Sequence, residues 1–290
     1  MKKFESNKGI NRRDFVKNSA AAAAGGMLLT HLPVESSAYV GGKETLRVAL
    51  VGCGGRGTGA AVQALNVKED VKLVAMADAF RDRLDDSYEN IMTKHGQSGR
   101  VDVPEEHKFV GFDGYKDAIA LADVVLLTTP PGFRPIHFEE AIRQGKHVFM
   151  EKPVATDAPG VRKVLDIAEQ AKQKRLHVVV GLQRHYETKY LEMMDRIHGG
   201  EIGDIVGGQV YWNSSGVWVR ERQPQQNEME YQMRNWYYFT WLCGDHIMEQ
   251  HIHNIDVANW AKQAYPVKAQ GMGGREVRTG RDHGEIFDHH

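Results

Sequence analysis

Short runs of apolar residues alternate along this chain with longer segments of mixed polarity. Val48–Val51 is a continuous apolar run, as expected for a strand of a parallel sheet that is buried on both faces. Similar runs recur downstream, and segments of helical length, such as Phe138–Gln144 and Ala158–Lys174, lie between them. This alternation predicts an α/β fold with a doubly wound parallel sheet. The further predicted strands are Val71–Ala77, Asp123–Thr129, Lys146–Met150 and Leu176–Val180.

A glycine-rich loop follows the first predicted strand. Gly52, Gly54 and Gly57 fit the pattern G-x-G-x-x-G and lead into a predicted helix over residues 58–65. The first glycine permits a tight turn, the second lets the backbone approach a pyrophosphate, and the third lets the helix lie against the strand. The N–H groups at the start of the helix would face the phosphates. The pattern therefore predicts a dinucleotide site that also includes Cys53, Gly55 and Arg56.

The end of the second predicted strand supplies an acidic residue to this site. Asp78 lies 21 residues after Gly57, where a carboxylate can hydrogen-bond the adenosine ribose. A carboxylate repels a 2′-phosphate, so Asp78 favours NAD, although the nearby arginines, such as Arg83, keep NADP possible. We interpret Cys53 as a small packing residue rather than as a redox thiol.

Glu151-Lys152-Pro153 follows the fourth predicted strand. Because ligands of open α/β sheets bind at the carboxyl ends of strands, Lys152 is placed to hydrogen-bond a substrate hydroxyl or to move its proton. An ordinary surface lysine is the alternative, and these three residues alone do not decide between the two.

Several motifs together resemble the Gfo/Idh/MocA family of oxidoreductases. They are the glycine loop, Thr129-Pro130, the stretch from Gly145 through Glu151-Lys152-Pro153, and Gly200–Gly203. The resemblance runs from about Leu46 to about Gly274. It implies an N-terminal Rossmann domain and a C-terminal α+β domain with an open, mostly antiparallel sheet. It also implies bound NAD(H) or NADP(H), a sugar-like or cyclitol substrate, Lys152 as the catalytic lysine, and a cofactor site that includes Thr129, Pro130, Glu151 and Lys152.

A histidine-rich segment, Gly244–Trp260, is predicted to form one helix. His246, Glu249, His253 and Asp256 lie along one line of it, and a carboxylate four residues from an imidazole can orient it and raise its basicity. The resemblance implies that His253 is the second catalytic residue and that Glu249 replaces the family's usual aspartate. A divalent-metal site of His246, Glu249 and His253 is the alternative; we predict no metal.

Aromatic side chains crowd the stretch between residues 211 and 241. Sugars present apolar C–H faces that stack on aromatic rings, whereas their hydroxyls need polar partners. We therefore expect substrate contacts from Trp236, Arg184, Tyr186 and His253. Ordinary core packing is the alternative for the aromatic residues.

The first forty residues resemble a Tat export signal. Arg12 and Arg13 are followed by Phe15 and Lys17, and then by the apolar run Ala20–Leu29, which is too short to span a bilayer. The signal predicts a periplasmic protein. Because free NAD is absent outside the cytoplasm, we also expect a tightly held, recycled cofactor.

Length and charge limit the remaining possibilities. Lys and Arg number 37 and Asp and Glu number 38, so no basic excess suggests a nucleic-acid partner.

We divide the chain into residues 1–40 (signal and linker), 44–181 (Rossmann domain) and 182–290 (substrate domain). The last contains predicted strands at Ile205–Trp212 and Val267–Gly273 and a third that begins near Glu285. We expect this sheet to be C-terminally truncated and the full-length protein to be a homo-oligomer.

The sequence thus predicts an exported NAD(P)-dependent oxidoreductase that acts on a hydroxyl of a sugar, glycoside or cyclitol. One alternative is an NAD-dependent glycosidase that works by transient oxidation and elimination. An alternative of another class is a dinucleotide-binding sensor without catalysis, in which Lys152 and His253 would not converge.

Overall fold

The computed structural model describes residues 45–290. Six strands in this range form one parallel sheet with the spatial order 3-2-1-4-5-6. The winding reverses between the first and fourth strands, and ligands of such sheets bind at the carboxyl ends beside that point. The predicted doubly wound parallel sheet is therefore confirmed. The strands are β1 (Leu46–Val51), β2 (Val71–Asp78), β3 (Lys108–Val110), β4 (Val124–Leu127), β5 (His147–Met150) and β6 (Val178–Val180).

Helices cover both faces of this sheet. They are α1 (Gly55–Leu65), α2 (Arg81–His95), α3 (Gly114–Ala120), α4 (Arg134–Arg143) and α5 (Ala158–Gln173). In β1, Val48 and Leu50 pack with α1 and α2, whereas Ala49 and Val51 pack with α3, α4 and α5. Burial on both faces explains the continuous apolar run, since each fully buried Val or Leu stabilises the fold by about 1.5–3 kcal/mol.

One strand of the sheet was not predicted. β3 has only three residues at the edge of the sheet, where it pairs with the end of β2. Lys108 and Phe109 are half-buried and Val110 is exposed, so β3 contains no apolar run. Its place in the sheet comes from pairing with Met76–Asp78 rather than from its own hydrophobicity.

The prediction of one continuous helix over Gly244–Trp260 is wrong, because the structure breaks this segment into separate helical pieces. Gly244 and Asp245 both have left-handed backbones (φ 76° and 78°), and they separate a short helix from a longer one. A π-helical turn over Ile247–His251 then precedes the longer helix. The α-helices within residues 182–290 are α6 (Thr188–His198), α7 (Glu228–Arg234), α8 (Thr240–Cys243) and α9 (Ile252–Lys262).

The antiparallel pairing expected in residues 182–290 is limited, within the described range, to a single bridge between Gly274 and His289. The strands predicted at Ile205–Trp212 and Val267–Gly273 are not formed there. A strand needs a neighbouring strand to bond its N–H and C=O groups. The first of these segments is held by side chains instead, since Lys262 of α9 donates to the carbonyl of Ile205 at 3.0 Å.

The predicted export signal lies outside the described residues. No helix within residues 45–290 combines the length and the apolar character needed to cross a membrane. The division into residues 44–181 and 182–290 stays a prediction.

Candidate active site

The glycine loop occupies the carboxyl end of β1, and its geometry explains each glycine. Gly52 has φ 97°, and a Cβ there would lie 2.5 Å from the amide nitrogen of Thr129. A Cβ at Gly57 would lie 2.0 Å from the carbonyl oxygen of Gly52. At Gly54, in contrast, a Cβ would have no other atom within 4 Å. Gly52 and Gly57 therefore close the turn, while Gly54 leaves an open cradle at the start of α1 that fits a diphosphate.

The open space at Gly54 leads to a test of the cofactor site. Gly54 has φ −73° and ψ 178°, which alanine adopts freely. We expect Gly54→Ala to leave the thermal stability of the cofactor-free protein unchanged and to weaken NAD binding by about tenfold (1.4 kcal/mol) or more, because the methyl group fills the cradle. Isothermal titration of cofactor-stripped protein measures this affinity.

Gly59→Ala is the matched control for this variant. Gly59 lies inside α1, and the nearest atom to its added methyl is 3.8 Å away on Arg56. Alanine is preferred over glycine within a helix, so NAD affinity should stay at the wild-type value. Wild-type affinity in Gly54→Ala would instead contradict the assignment of the cradle.

Asp78 ends β2 directly beside this loop. Its carboxylate accepts hydrogen bonds from the amides of Cys53 at 2.7 Å and Phe80 at 2.9 Å. Burial raises the pKa of Asp78, although both amides oppose the shift. Burial likewise raises the pKa of the Cys53 thiol well above its ordinary value. This disfavours the reactive thiolate and supports a packing role for Cys53.

A cavity of about 410 Å³ lies in front of the loop. One wall is formed by the loop itself, with Asp78, Thr129 and Pro130. Residues 217–236, which we name the covering segment, form another part of the lining. Its contributions to the cavity are Trp218, Arg220, Met233, Arg234 and Trp236. The volume is within the range of small-molecule and cofactor sites.

Lys152 follows β5 and forms a partly buried ion pair with the buried Glu249. Its Nζ lies 3.2 Å from Oε2 of Glu249 and also donates to the main-chain carbonyl of Glu249. Burial raises the pKa of Glu249, although the positive charges of Lys152 and Arg134 oppose that effect. Oε1 of Glu249 is buried without a hydrogen-bond partner in residues 45–290. The ion pair thus engages only one of the two carboxylate oxygens of Glu249.

Arg134 is a site residue that was not predicted from the sequence. Its side chain is fully buried, and it donates to the carbonyls of Leu127 and Thr129 at 2.5 and 2.8 Å. Burial lowers the pKa of Arg134 to about 10, against the opposing charges of Glu249 and Glu151. A cation at this place compensates two buried carboxylates and fixes the loop after β4. Arg134 lies four residues after Pro130, close to the end of a predicted strand, and this position could have indicated a site residue.

Glu151 lies at the same edge of the sheet. Its Oε1 accepts a hydrogen bond from Nε of Arg56 at 2.7 Å. A Cβ at Gly181, just after β6, would lie 2.7 Å from the same oxygen. Glu151 therefore joins the glycine loop to the segment after β5 that carries Lys152, and Gly181 leaves the space that the Glu151 carboxylate needs.

His253 lies in the same site as a neutral imidazole. Burial lowers its pKa to about 4, and the positive charges of Lys152 and Arg184 contribute to the shift. The ring stacks on Trp212 with centroids 5.8 Å apart. Arg184 donates to the main-chain carbonyl of His253 at 2.8 Å. Lys152, Glu249 and His253 are thus brought together, with Arg184 holding the helix that carries the imidazole.

Several contacts predicted for Glu249, His246, Tyr186 and Trp236 are not the ones that the structure shows. The anticipated pairing of Glu249 with His253 is not formed, because residues four apart no longer align in a π-helical turn and Glu249 pairs with Lys152 instead. The alternative metal trio is likewise not assembled, since His246 pairs with Asp245. Tyr186 is exposed, and Trp236 faces the cofactor cavity.

Comparison with known proteins shows which oxidoreductases the first part of the chain is similar to. Residues 46–180 match the model of the Gfo/Idh/MocA oxidoreductase family with an NAD-binding Rossmann fold. An inositol 2-dehydrogenase of Rhizobium meliloti strain 1021 is 28% identical over 224 residues, which are 77% of this chain and 57% of the relative. A glycosyl hydrolase family 109 protein of Shewanella pealeana is 24% identical over 245 residues, which are 78% of this chain and 50% of the relative.

Solved structures support the same fold. Myo-inositol 2-dehydrogenase from Lactobacillus plantarum is 21% identical with a TM-score of 0.57, covering 81% of this chain and 61% of that one. Scyllo-inositol dehydrogenase from Lactobacillus casei, solved with NAD(H) and scyllo-inositol, is 21% identical with a TM-score of 0.53, covering 76% and 57%. The chain spans about half to three fifths of the length of these relatives.

The family match includes the glycine loop, Asp78 and Lys152. Residues 46–180 are therefore similar to the NAD-binding Rossmann fold of the Gfo/Idh/MocA oxidoreductase family.

Proposed function

We propose that this protein is an NAD-dependent oxidoreductase that acts on a CH–OH group of a cyclitol or sugar. The observation that carries the proposal is the partly buried Lys152–Glu249 pair beside a neutral His253, at the edge of the sheet where the glycine loop lies. A sensor needs the loop but has no use for a buried lysine, carboxylate and imidazole in one place.

The chemistry divides between the cofactor and these side chains. NAD, when bound, accepts the hydride from the carbon that carries the hydroxyl. The hydroxyl proton needs a separate acceptor, and the imidazole of His253 is neutral at physiological pH because its pKa is about 4. Lys152 would donate a hydrogen bond to the same oxygen and stabilise its developing negative charge. In the reverse reaction, His253 returns the proton.

The substrate class follows from the walls of the site and from the relatives. Trp212 presents an aromatic ring next to His253, which suits the C–H face of a ring polyol. The dehydrogenases among the relatives bear names that specify myo- or scyllo-inositol. The test is a panel of inositols and aldoses added to NAD-loaded protein, with NADH absorbance as the readout. Failure of every polyol to reduce NAD would overturn the proposal.

We further propose that the protein retains its dinucleotide between turnovers, because the covering segment lies across the cavity and is fastened to the Rossmann domain. Arg234 bonds both carboxylate oxygens of Asp82, at 2.8 and 3.0 Å. Its guanidinium also lies 4.1 Å from the ring centre of Phe80. A bidentate arginine pair on an aromatic ring fixes orientation as well as distance. Release of the adenosine half would then require this contact to open.

This leads to a prediction about cofactor exchange. We expect Arg234→Ala to increase the rate of NAD release by about tenfold while leaving the hydride-transfer step unchanged, because Arg234 is in the covering segment and not beside Lys152. Displacement of bound NAD by a fluorescent analogue in stopped flow measures the rate. Arg196→Ala, which removes an exposed arginine 3.8 Å from Glu201, is the control. Equal release rates in both variants would contradict retention by the covering segment.

A second candidate function is glycoside cleavage by transient oxidation, elimination and return of the hydride. It is favoured by one observation, the family 109 glycosyl hydrolases among the sequence relatives. The two functions differ in net redox change. Release of the aglycone from a chromogenic glycoside, at constant NADH and without an added acceptor, would favour cleavage; accumulation of NADH with no aglycone would favour simple oxidation.

We also propose that residues 1–40 direct export through the Tat route. The support is the Arg12-Arg13 pair before an apolar run. Replacement of both arginines by lysine should keep a fused reporter in the cytoplasm, whereas replacement of Lys2 and Lys3 should not. Periplasmic reporter in the double-lysine variant would overturn this assignment. Retention of NAD has particular value outside the cytoplasm, where no free pool replaces what is lost.

A further inference from the structure

A second group of ionisable side chains lies at the junction between α8 and the π-helical turn. Asp245 occupies a left-handed backbone conformation (φ 78°), which is uncommon for a residue with a side chain and is often found at functional sites. Its carboxylate lies beside His246 and faces His290 from the end of the described chain. None of these residues takes part in the oxidoreductase chemistry proposed above.

The spacing of the three side chains matches that of metal ligands. One ligand atom from each lies within 4.8 Å of the other two. Oδ1 of Asp245 is 3.2 Å from Nδ1 of His246 and 3.9 Å from Nε2 of His290. Ligands held about 2.0–2.1 Å from a tetrahedral ion are about 3.3 Å apart. The rings of His246 and His290 stack with centroids 3.9 Å apart, so one of the two rings must turn out of this stack for all three donors to meet one ion.

The surroundings of the three ligands also suit an ion. Their side chains are only 11–17% exposed, so the group is largely shielded from solvent. His251 lies beside them, with its ring centre 5.2 Å from that of His246 and 5.9 Å from that of His290.

From this geometry we infer that Asp245, His246 and His290 bind one divalent transition-metal ion, with His251 as a neighbouring fourth donor. Two or three imidazoles and one carboxylate are a ligand set that suits Zn²⁺ and other borderline ions rather than Mg²⁺ or Ca²⁺. The ion would join the start of the π-helical turn, which carries Glu249, to the segment around residues 285–290. The alternative is a junction held by hydrogen bonds alone, since Asp245 already accepts from the amides of His246 and Phe287.

The test is a titration of the EDTA-dialysed protein with Zn²⁺ in competition with a chromophoric chelator. We expect wild type to bind one ion per chain at this site, with micromolar or tighter affinity. Asp245→Asn and His290→Ala should each weaken that binding by at least about tenfold. Circular dichroism and NAD content verify that both variants are folded. His289→Ala is the control, because its ring pairs with Asp288 instead, and it should bind Zn²⁺ as wild type does.

Two results would overturn the inference. The first is the absence of stoichiometric Zn²⁺ binding by the wild-type protein. The second is binding that Asp245→Asn and His290→Ala leave unchanged, which would place the ion elsewhere in the chain. The visible spectrum of bound Co²⁺ offers a second readout, since it reports the ligand geometry directly. A wild-type Co²⁺ spectrum that persists in both variants would likewise contradict this site.

Discussion

Lys152→Ala is expected to reduce turnover by about 10²–10⁴-fold while NAD affinity stays within about twofold of wild type. The magnitude is that of a positioned group that transfers or stabilises a proton in the transition state. NAD affinity is preserved because the cradle at Gly54 and the carboxylate of Asp78 do not depend on the lysine. Steady-state kcat on the best polyol and isothermal titration with NAD measure the two effects.

Loss of Lys152 also leaves the buried carboxylate of Glu249 without its partner, so stability needs its own control. Lys163→Ala removes a lysine of the same size from an exposed pair with Glu139, and it should change neither turnover nor melting temperature. The double variant Lys152→Met with Glu249→Gln removes both buried charges and should fold but remain inactive. Turnover of Lys152→Ala within tenfold of wild type would remove Lys152 from the mechanism.

Glu249→Gln is expected to lower kcat by about 10²-fold and to change the pH profile. The amide oxygen can still accept a hydrogen bond from Lys152, but the charge that balances Lys152 and Arg134 is lost. In wild type, burial raises the pKa of Glu249, so activity should fall as the pH decreases through that pKa and the carboxylate takes up a proton. The variant should lack this acid limb and keep only that of His253 near its pKa of about 4.

The same pKa shift predicts the sign of a stability effect. The carboxyl group of Glu249 holds its proton to a higher pH in the folded state than in the unfolded chain. Stability contributed by this group is therefore fully present below the unfolded pKa and is lost as the pH rises through the folded pKa. Chemical denaturation across that window should show a shallower slope for Glu249→Gln. Glu249→Asp, which keeps the charge, should restore part of the activity. An unchanged pH–rate profile in Glu249→Gln would exclude Glu249 as the titrating group.

The central sheet was predictable because its strands are buried on both faces. Val48–Val51 is apolar throughout for that reason. The glycine loop after it was predictable because the close approach of α1 to β1 requires glycine at the turn. β3 was not predictable, because its three residues carry no hydrophobic pattern and depend on pairing with β2. Local sequence therefore predicts strands that create the core, and it misses strands that only extend an edge.

The sequence predicts residues of the candidate site where a single segment carries the whole motif. Lys152 and His253 each belong to a recognisable motif, and the structure brings them into one site. The partner of Lys152 was not predictable, because the π-helical turn shifts Glu249 off the line of His253. Arg134 and the covering segment were missed for a related reason. Their roles depend on residues distant in sequence, as with Arg234 and Asp82, and no spacing along the chain indicates such contacts.

The most direct test of the proposed oxidoreductase is a single-turnover measurement on protein that carries its NAD. Mixing with an excess of a polyol substrate should produce NADH absorbance equivalent to one reduced cofactor per occupied site in wild type. Lys152→Ala loaded with the same amount of NAD should show a rate at least about 10²-fold slower. Absence of NADH from wild type with every inositol, aldose and glycoside tried, or an equal rate in Lys152→Ala, would contradict this function.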